Sequence, residues 1–96
     1  MASQQEIRRK ILAALYDCHR SEAFCPLKTA NLIEMLGLDD EEEFYRALQY
    51  LHDEDYVKGI FLPYERQGYF ESARITGKGV DAAQDPSELD RLFPPE

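Results

Sequence analysis

Four residues of this sequence are of types that bind metals or perform nucleophilic work: Cys18, His19, Cys25 and His52. Joined, they would offer two sulfurs and two imidazoles, a donor set that suits zinc. Structural zinc sites draw their ligands from paired short spacings, whereas these cysteines stand seven positions apart and His52 lies far downstream. The pattern therefore implies no metal site. Residues 39–43 are five consecutive acids. Neighbouring positions of a helix point in different directions, so this run is not a general acid and base pair. No glycine-rich phosphate loop or nucleophile–base motif accompanies it. The expectation is a protein that binds without catalysis and needs no cofactor.

The two cysteines are too few for a disulfide framework, and both are expected to be reduced. A chain of 96 residues builds one modest core and one domain, 1–96. No apolar run reaches the ~20 residues that cross a bilayer, and the start has no basic-then-apolar leader pattern. No membrane partner is expected, and the expected location is cytoplasmic.

Net charge is −8, unevenly spread. Residues 38–56 hold eight acids and one base, net −7, while residues 1–20 and 57–78 each hold four bases and two acids, net +2. An acidic whole repels phosphates at long range, and duplex binding draws on Lys and Arg contacts.

These charges must be positioned by a handful of elements. Ile7, Ile11, Leu12 and Leu15 form one apolar stripe, which predicts a first helix over about 4–18 within the segment 1–20. Pro26 disfavours helix at Cys25, so 20–26 reads as loop. A second helix over 28–36 stops at Gly37. A third begins at Asp39 or Asp40 and buries Phe44, Ala47, Leu48 and Leu51, which completes a helix-turn-helix over 27–55. Glu54 or Asp55 must turn the chain, and Asp tolerates a left-handed conformation better than most residues. Residues 57–63 and 69–76 read as two strands of a hairpin, within 56–76, around a loop at 64–68. Alternation puts Ala73 and Ile75 on one face of the second strand and Ser72 and Arg74 on the other. Thr76 caps a last helix, Pro86 breaks it, and another turn or two follows within a helical segment 77–93. The expected core is Ile7, Ile11, Leu15, Leu32, Leu36, Phe44, Leu48, Leu51 and Ile75.

The run Leu-Ile-Glu-Met-Leu-Gly-Leu-Asp-Asp-Glu-Glu-Glu-Phe-Tyr-Arg-Ala-Leu-Gln-Tyr-Leu, over 32–51, is followed by His-Asp-Glu-Asp-Tyr-Val-Lys-Gly and later by Arg-Ile-Thr-Gly-Lys-Gly. In order and spacing these resemble winged helix-turn-helix transcription regulators of the broad MarR and PadR type. Asp55 stands where those families usually carry a glycine. The resemblance implies an α+β fold: a three-helix core, a two-stranded β-hairpin wing and a short C-terminal helix. It also implies transcription regulation, with the third helix as the element that would enter a groove.

The outer side of that helix is centred on Glu42, Arg46, Gln49 and Asp53, flanked by Tyr45 and Tyr50. Arg and Gln suit base edges, but a Glu42–Arg46 ion pair at i,i+4 would occupy the single base. The acids cap the helix and oppose its positive end, each contributing ~0.3–1 kcal/mol, and near DNA they would face phosphates. The leading expectation is a regulatory or accessory protein-interaction module using this face, with Tyr45, Tyr50, Tyr64 and Tyr69 partly exposed. The alternative is a DNA-binding regulator gripping duplex through Arg8, Arg9, Lys58, Arg66, Arg74 and Lys78. Leu89, Leu92 and Phe93, at i, i+3 and i+4, form an apolar side. It must pack onto the chain's own first helix or onto another subunit, and a homodimer is the favoured of the two.

Overall fold

The computed structural model describes residues 4–21, 27–60 and 70–94. Among them the chain forms an α+β arrangement of five helices and a three-stranded antiparallel sheet. The order is α1 (Gln4–Ser21), β1 (Leu27–Lys28), α2 (Thr29–Leu36), α3 (Glu41–Asp53), β2 (Val57–Ile60), β3 (Ser72–Ile75), α4 (Gly77–Ala83) and α5 (Pro86–Leu92).

The sheet runs β1-β3-β2, with Leu27 opposite Ala73, Val57 opposite Ile75 and Lys58 opposite Arg74. The two-stranded hairpin expected from sequence is thus corrected to three strands. β1 is only two residues long, too short to carry an alternation. It is held by Thr29, whose N–H donates to the carbonyl of Glu71 at 2.8 Å. The Thr29 hydroxyl lies 2.8 Å from the Phe70 carbonyl oxygen and 3.3 Å from the Tyr45 hydroxyl. This buried polar group is fully satisfied, as buried polar groups must be.

α1 continues to Ser21, past the expected stop, with His19 and Arg20 opposing the negative end of the helix. α2 ends in a left-handed turn at Gly37 (φ 63°), where the N–H of Gly37 bonds the Glu34 carbonyl and that of Leu38 bonds the Ile33 carbonyl. α3 ends in the same way. Asp55 takes φ 66°, its N–H bonds the His52 carbonyl, and the N–H of Tyr56 bonds the Leu51 carbonyl. Asp55 therefore fills the left-handed position that glycine most often takes at a helix end.

The core lies where α1, α3 and the inner face of the sheet meet. Ile7, Ile11, Leu12, Leu15, Leu32, Phe44, Ala47, Leu48 and Leu51 are buried, as are Ala73 and Ile75. Leu36, expected among them, is only half-buried because it lies on the last turn of α2, beside the bend. Tyr56, Val57, Phe70, Ala82, Ala83, Leu89 and Phe93 complete the core. Thr76 caps α4 by accepting from the N–H of Gly79, and its own N–H bonds the Tyr56 carbonyl. A Cβ on Gly79 would stand 2.1 Å from that same carbonyl oxygen, so only glycine lets α4 start here. The segment 77–93 is two helices, the second capped by Asp85 ahead of Pro86.

Candidate interaction surface

The surface begins with the cap of α3. The Asp40 carboxylate accepts from the N–H groups of Glu42 and Glu43, and in the first turn that follows Glu41 and Glu42 are exposed while Glu43 is half-buried. Glu42, Arg46 and Asp53 are exposed and Gln49 is half-buried, so the structure brings the four residues onto one outer stripe as the helical period requires. Their pairing differs from expectation. Arg46 Nη1 lies 2.9 Å from Glu43 Oε1, at i,i+3, and leaves Glu42 unpaired among the described residues. The Glu43 carboxylate is also gripped by Gln4 of α1, which holds it within reach of Arg46. Gln49 donates to Asp53 at 2.8 Å. The two side chains with base-reading chemistry are thus bonded to acids of their own helix.

The flanking tyrosines divide. Tyr50 is exposed, with the Arg8 guanidinium 3.6 Å over its ring. Tyr45 is half-buried, edge-on to Phe44, with its hydroxyl beside Thr29. Tyr45 belongs to the packing as much as to the surface. Tyr64 and Tyr69 lie outside the described residues.

Of the residues proposed for duplex contact, Lys58 and Arg74 come together and the other described ones do not. Arg8 is spent on Tyr50, Arg9 pairs with Asp90 of α5 at 2.5 Å, and Lys78 donates to the Glu54 carbonyl at 2.9 Å with its ammonium 4.6 Å from the Tyr56 ring centre. Lys58 and Arg74 stand opposite one another, on the sheet face turned away from the buried Val57, Ala73 and Ile75. Lys28, which sequence reasoning passed over, shares that face through its pairing with Ser72. Arg66 lies outside the described residues.

Leu89 and Phe93 are buried in their own chain, Phe93 edge-on to Tyr56 at 5.9 Å, and Leu92 is half-buried. On α5 the Arg91 guanidinium donates to Glu88, and that hydrogen bond, with the carboxylate's charge, raises its pKa above the ordinary value.

Two of the sulfur and imidazole donors, Cys18 and His52, are committed elsewhere. Cys18 is disulfide-bonded, which corrects the expectation of a reduced thiol, and Cys25 lies outside the described residues. A disulfide sulfur is not a thiolate ligand. His52 accepts from the N–H of Gly59 at Nδ1 and packs against the Phe70 ring. Among the described residues no group of three His, Cys, Asp or Glu side chains is placed to hold a metal.

A groove of about 340 Å³ lies between the first half of α1 and the bend joining α2 to α3. Ile7, Leu36 and Leu38 supply its apolar lining, and Asp39, Asp40 and Glu43 its acids. Sequence reasoning missed it because it depends on how α1 crosses the bend, which no local spacing encodes. Among the described residues no helix is long and apolar enough to cross a membrane. Comparison with protein-family models, with curated proteins and with solved structures gives no match.

Proposed function

We propose that this chain is a non-catalytic winged helix-turn-helix module, a regulatory or accessory domain that binds protein through the outer face of α3. The order of helices and strands supports the winged reading: a bent α2–α3 pair follows α1, and β2 and β3 form the hairpin, with β1 added at the open edge of β3. MarR and PadR-type regulators remain the families it resembles. One observation carries the choice of partner. The exposed stripe of α3 presents unpaired Glu42 and the Gln49–Asp53 pair, while its single base is bound to Glu43. Beside a duplex those carboxylates would meet phosphates without the cations that drive such binding. Beside a basic protein surface they are complementary.

The second reading, a DNA-binding regulator, draws on Lys28, Lys58 and Arg74 on the outward sheet face. A titration of labelled duplex DNA at low and physiological salt separates the two. The first reading expects no saturable binding near the ~10⁻⁸ M typical of specific complexes. It also expects crosslinking in source cells to capture a protein that E42K/D53K loses. Duplex affinity in that range, weakened by K58A and R74A, would replace the first reading with the second.

A further inference from the structure

The groove at the α2–α3 bend is floored by residues that hold the fold, Ile7 of the core and Glu43 tied to Gln4 of α1, and is rimmed by the bend itself. Its apolar lining is set by the left-handed turn at Gly37. The bond from the Leu38 N–H to the Ile33 carbonyl, at 3.2 Å, fixes Leu38 beside the end of α2, and both Leu36 and Leu38 stay half-buried instead of closing into the core. Met35, on the same final turn of α2, is 61% exposed. Methionine is a frequent choice where a surface must accept varied apolar shapes.

The charged lining is lopsided. Asp40 caps α3 and Glu43 is held by Gln4 and Arg46, but the Asp39 carboxylate has no hydrogen-bond or ion-pair partner among the described residues. The one base, Lys10, is already paired with Glu6 at 3.3 Å. The groove therefore offers apolar contact inside and a net negative rim on which the Asp39 carboxylate is uncompensated among the described residues. Its volume, about 340 Å³, sits at the low end of the ~300–1,000 Å³ of small-molecule pockets. That is room for one or two large side chains.

We propose that this groove seats a basic amphipathic segment of a partner protein. The segment inserts a leucine- or phenylalanine-sized side chain against the half-buried Leu36 and Leu38, and its flanking lysines or arginines meet Asp39 and the outer oxygens of Asp40 and Glu43. This is the helix-in-groove mode of peptide recognition, with rim charges fixing orientation and selecting against acidic segments. It rests on the reading of the chain as a protein-binding module and names the chemistry of the partner. A second copy of the chain is the poorer occupant. Its basic run in α1 is committed to Tyr50, Asp90 and Glu6, and a net charge of −8 opposes self-encounter.

The test is an NMR titration of the full chain with three helical peptides: one built of leucine and lysine, one with serine replacing leucine, and one with glutamate replacing lysine. The first should saturate and shift the amides of Ile7, Leu38 and Glu43, and both controls should bind at least roughly tenfold more weakly, ~1.4 kcal/mol. Asp39→Lys should weaken the first peptide by a similar factor without moving the thermal midpoint. Leu38→Ser, checked for folding by circular dichroism, should also weaken the first peptide by about that factor. Equal binding of the serine peptide would overturn the proposal, leaving general charge attraction. So would saturable binding of no peptide at all. Shifts at Glu42, Arg46 and Asp53 alone would overturn the groove yet keep the protein-binding reading. Displacement of the first peptide by duplex DNA, with shifts at Lys58 and Arg74, would overturn both.

Discussion

The guanidinium of Arg8 lies 3.6 Å over the ring of Tyr50, fastening α1 to the C-terminal half of α3. One of the bases that could have faced phosphates is thereby converted into packing, and one of the tyrosines that could have faced a partner is half roofed. Cation–π contacts contribute ~0.5–1 kcal/mol when exposed and about 2 when desolvated. A double-mutant cycle of Arg8→Ala and Tyr50→Ala, read by denaturant unfolding, should give a coupling of ~0.5–2 kcal/mol. Coupling near zero would return Arg8 to the pool of available cations.

Leu48 is fully buried at the centre of the α3 stripe. Leu48→Ala should cost roughly 2–5 kcal/mol, the range for a buried leucine whose cavity cannot collapse. The midpoint of urea unfolding should fall with its slope unchanged.

Thr29 makes the joint between β1, β3 and α3. Thr29→Val keeps the shape and removes the hydroxyl, leaving the Phe70 carbonyl without that donor. A loss of ~1–3 kcal/mol is expected, together with faster amide exchange at Thr29 itself, whose N–H closes β1 onto Glu71.

Asp55 takes a left-handed backbone at the end of α3. Asp55→Gly should be more stable than Asp55→Ala by about 1 kcal/mol, because the Cβ cost of that conformation is ~1–2 kcal/mol for an ordinary residue. Thermal melts of the two variants decide. Equal stability would mean that the turn is not held in the left-handed region.

With Leu89 and Phe93 buried inside their own chain, the full chain should scatter light as a monomer at high micromolar concentration. Truncation after Gln84 should lower the thermal midpoint, since Tyr56 loses the Phe93 ring. A dimer that dissociates on truncation would reverse this.

Much of the scaffold was legible from spacing. The α1 and α3 stripes, the stop at Gly37, the Asp40 and Thr76 caps, and the alternation of Ala73 and Ile75 are each written in a few neighbouring residues, and local rules read them. What failed was non-local. β1 exists only because Glu71 and Ala73, more than forty positions on, supply its partners. The Arg46 pairing went to Glu43 because Gln4 of α1 helps hold that carboxylate, a contact no helical wheel contains. The basic residues looked like one set in the sequence. In the fold, Tyr50, Asp90 and the Glu54 carbonyl divide them among separate tasks.

The Arg9–Asp90 ion pair and the Tyr56–Phe93 ring contact bear on the order in which the chain folds. Both tie the segment 86–93 to residues far back in the chain. Contacts of such separation cost loop-closure entropy before they return any energy. Until that segment docks, the Tyr56 ring lacks its edge-on partner, and the partly folded chain carries exposed aromatic surface of the kind that holding chaperones meet.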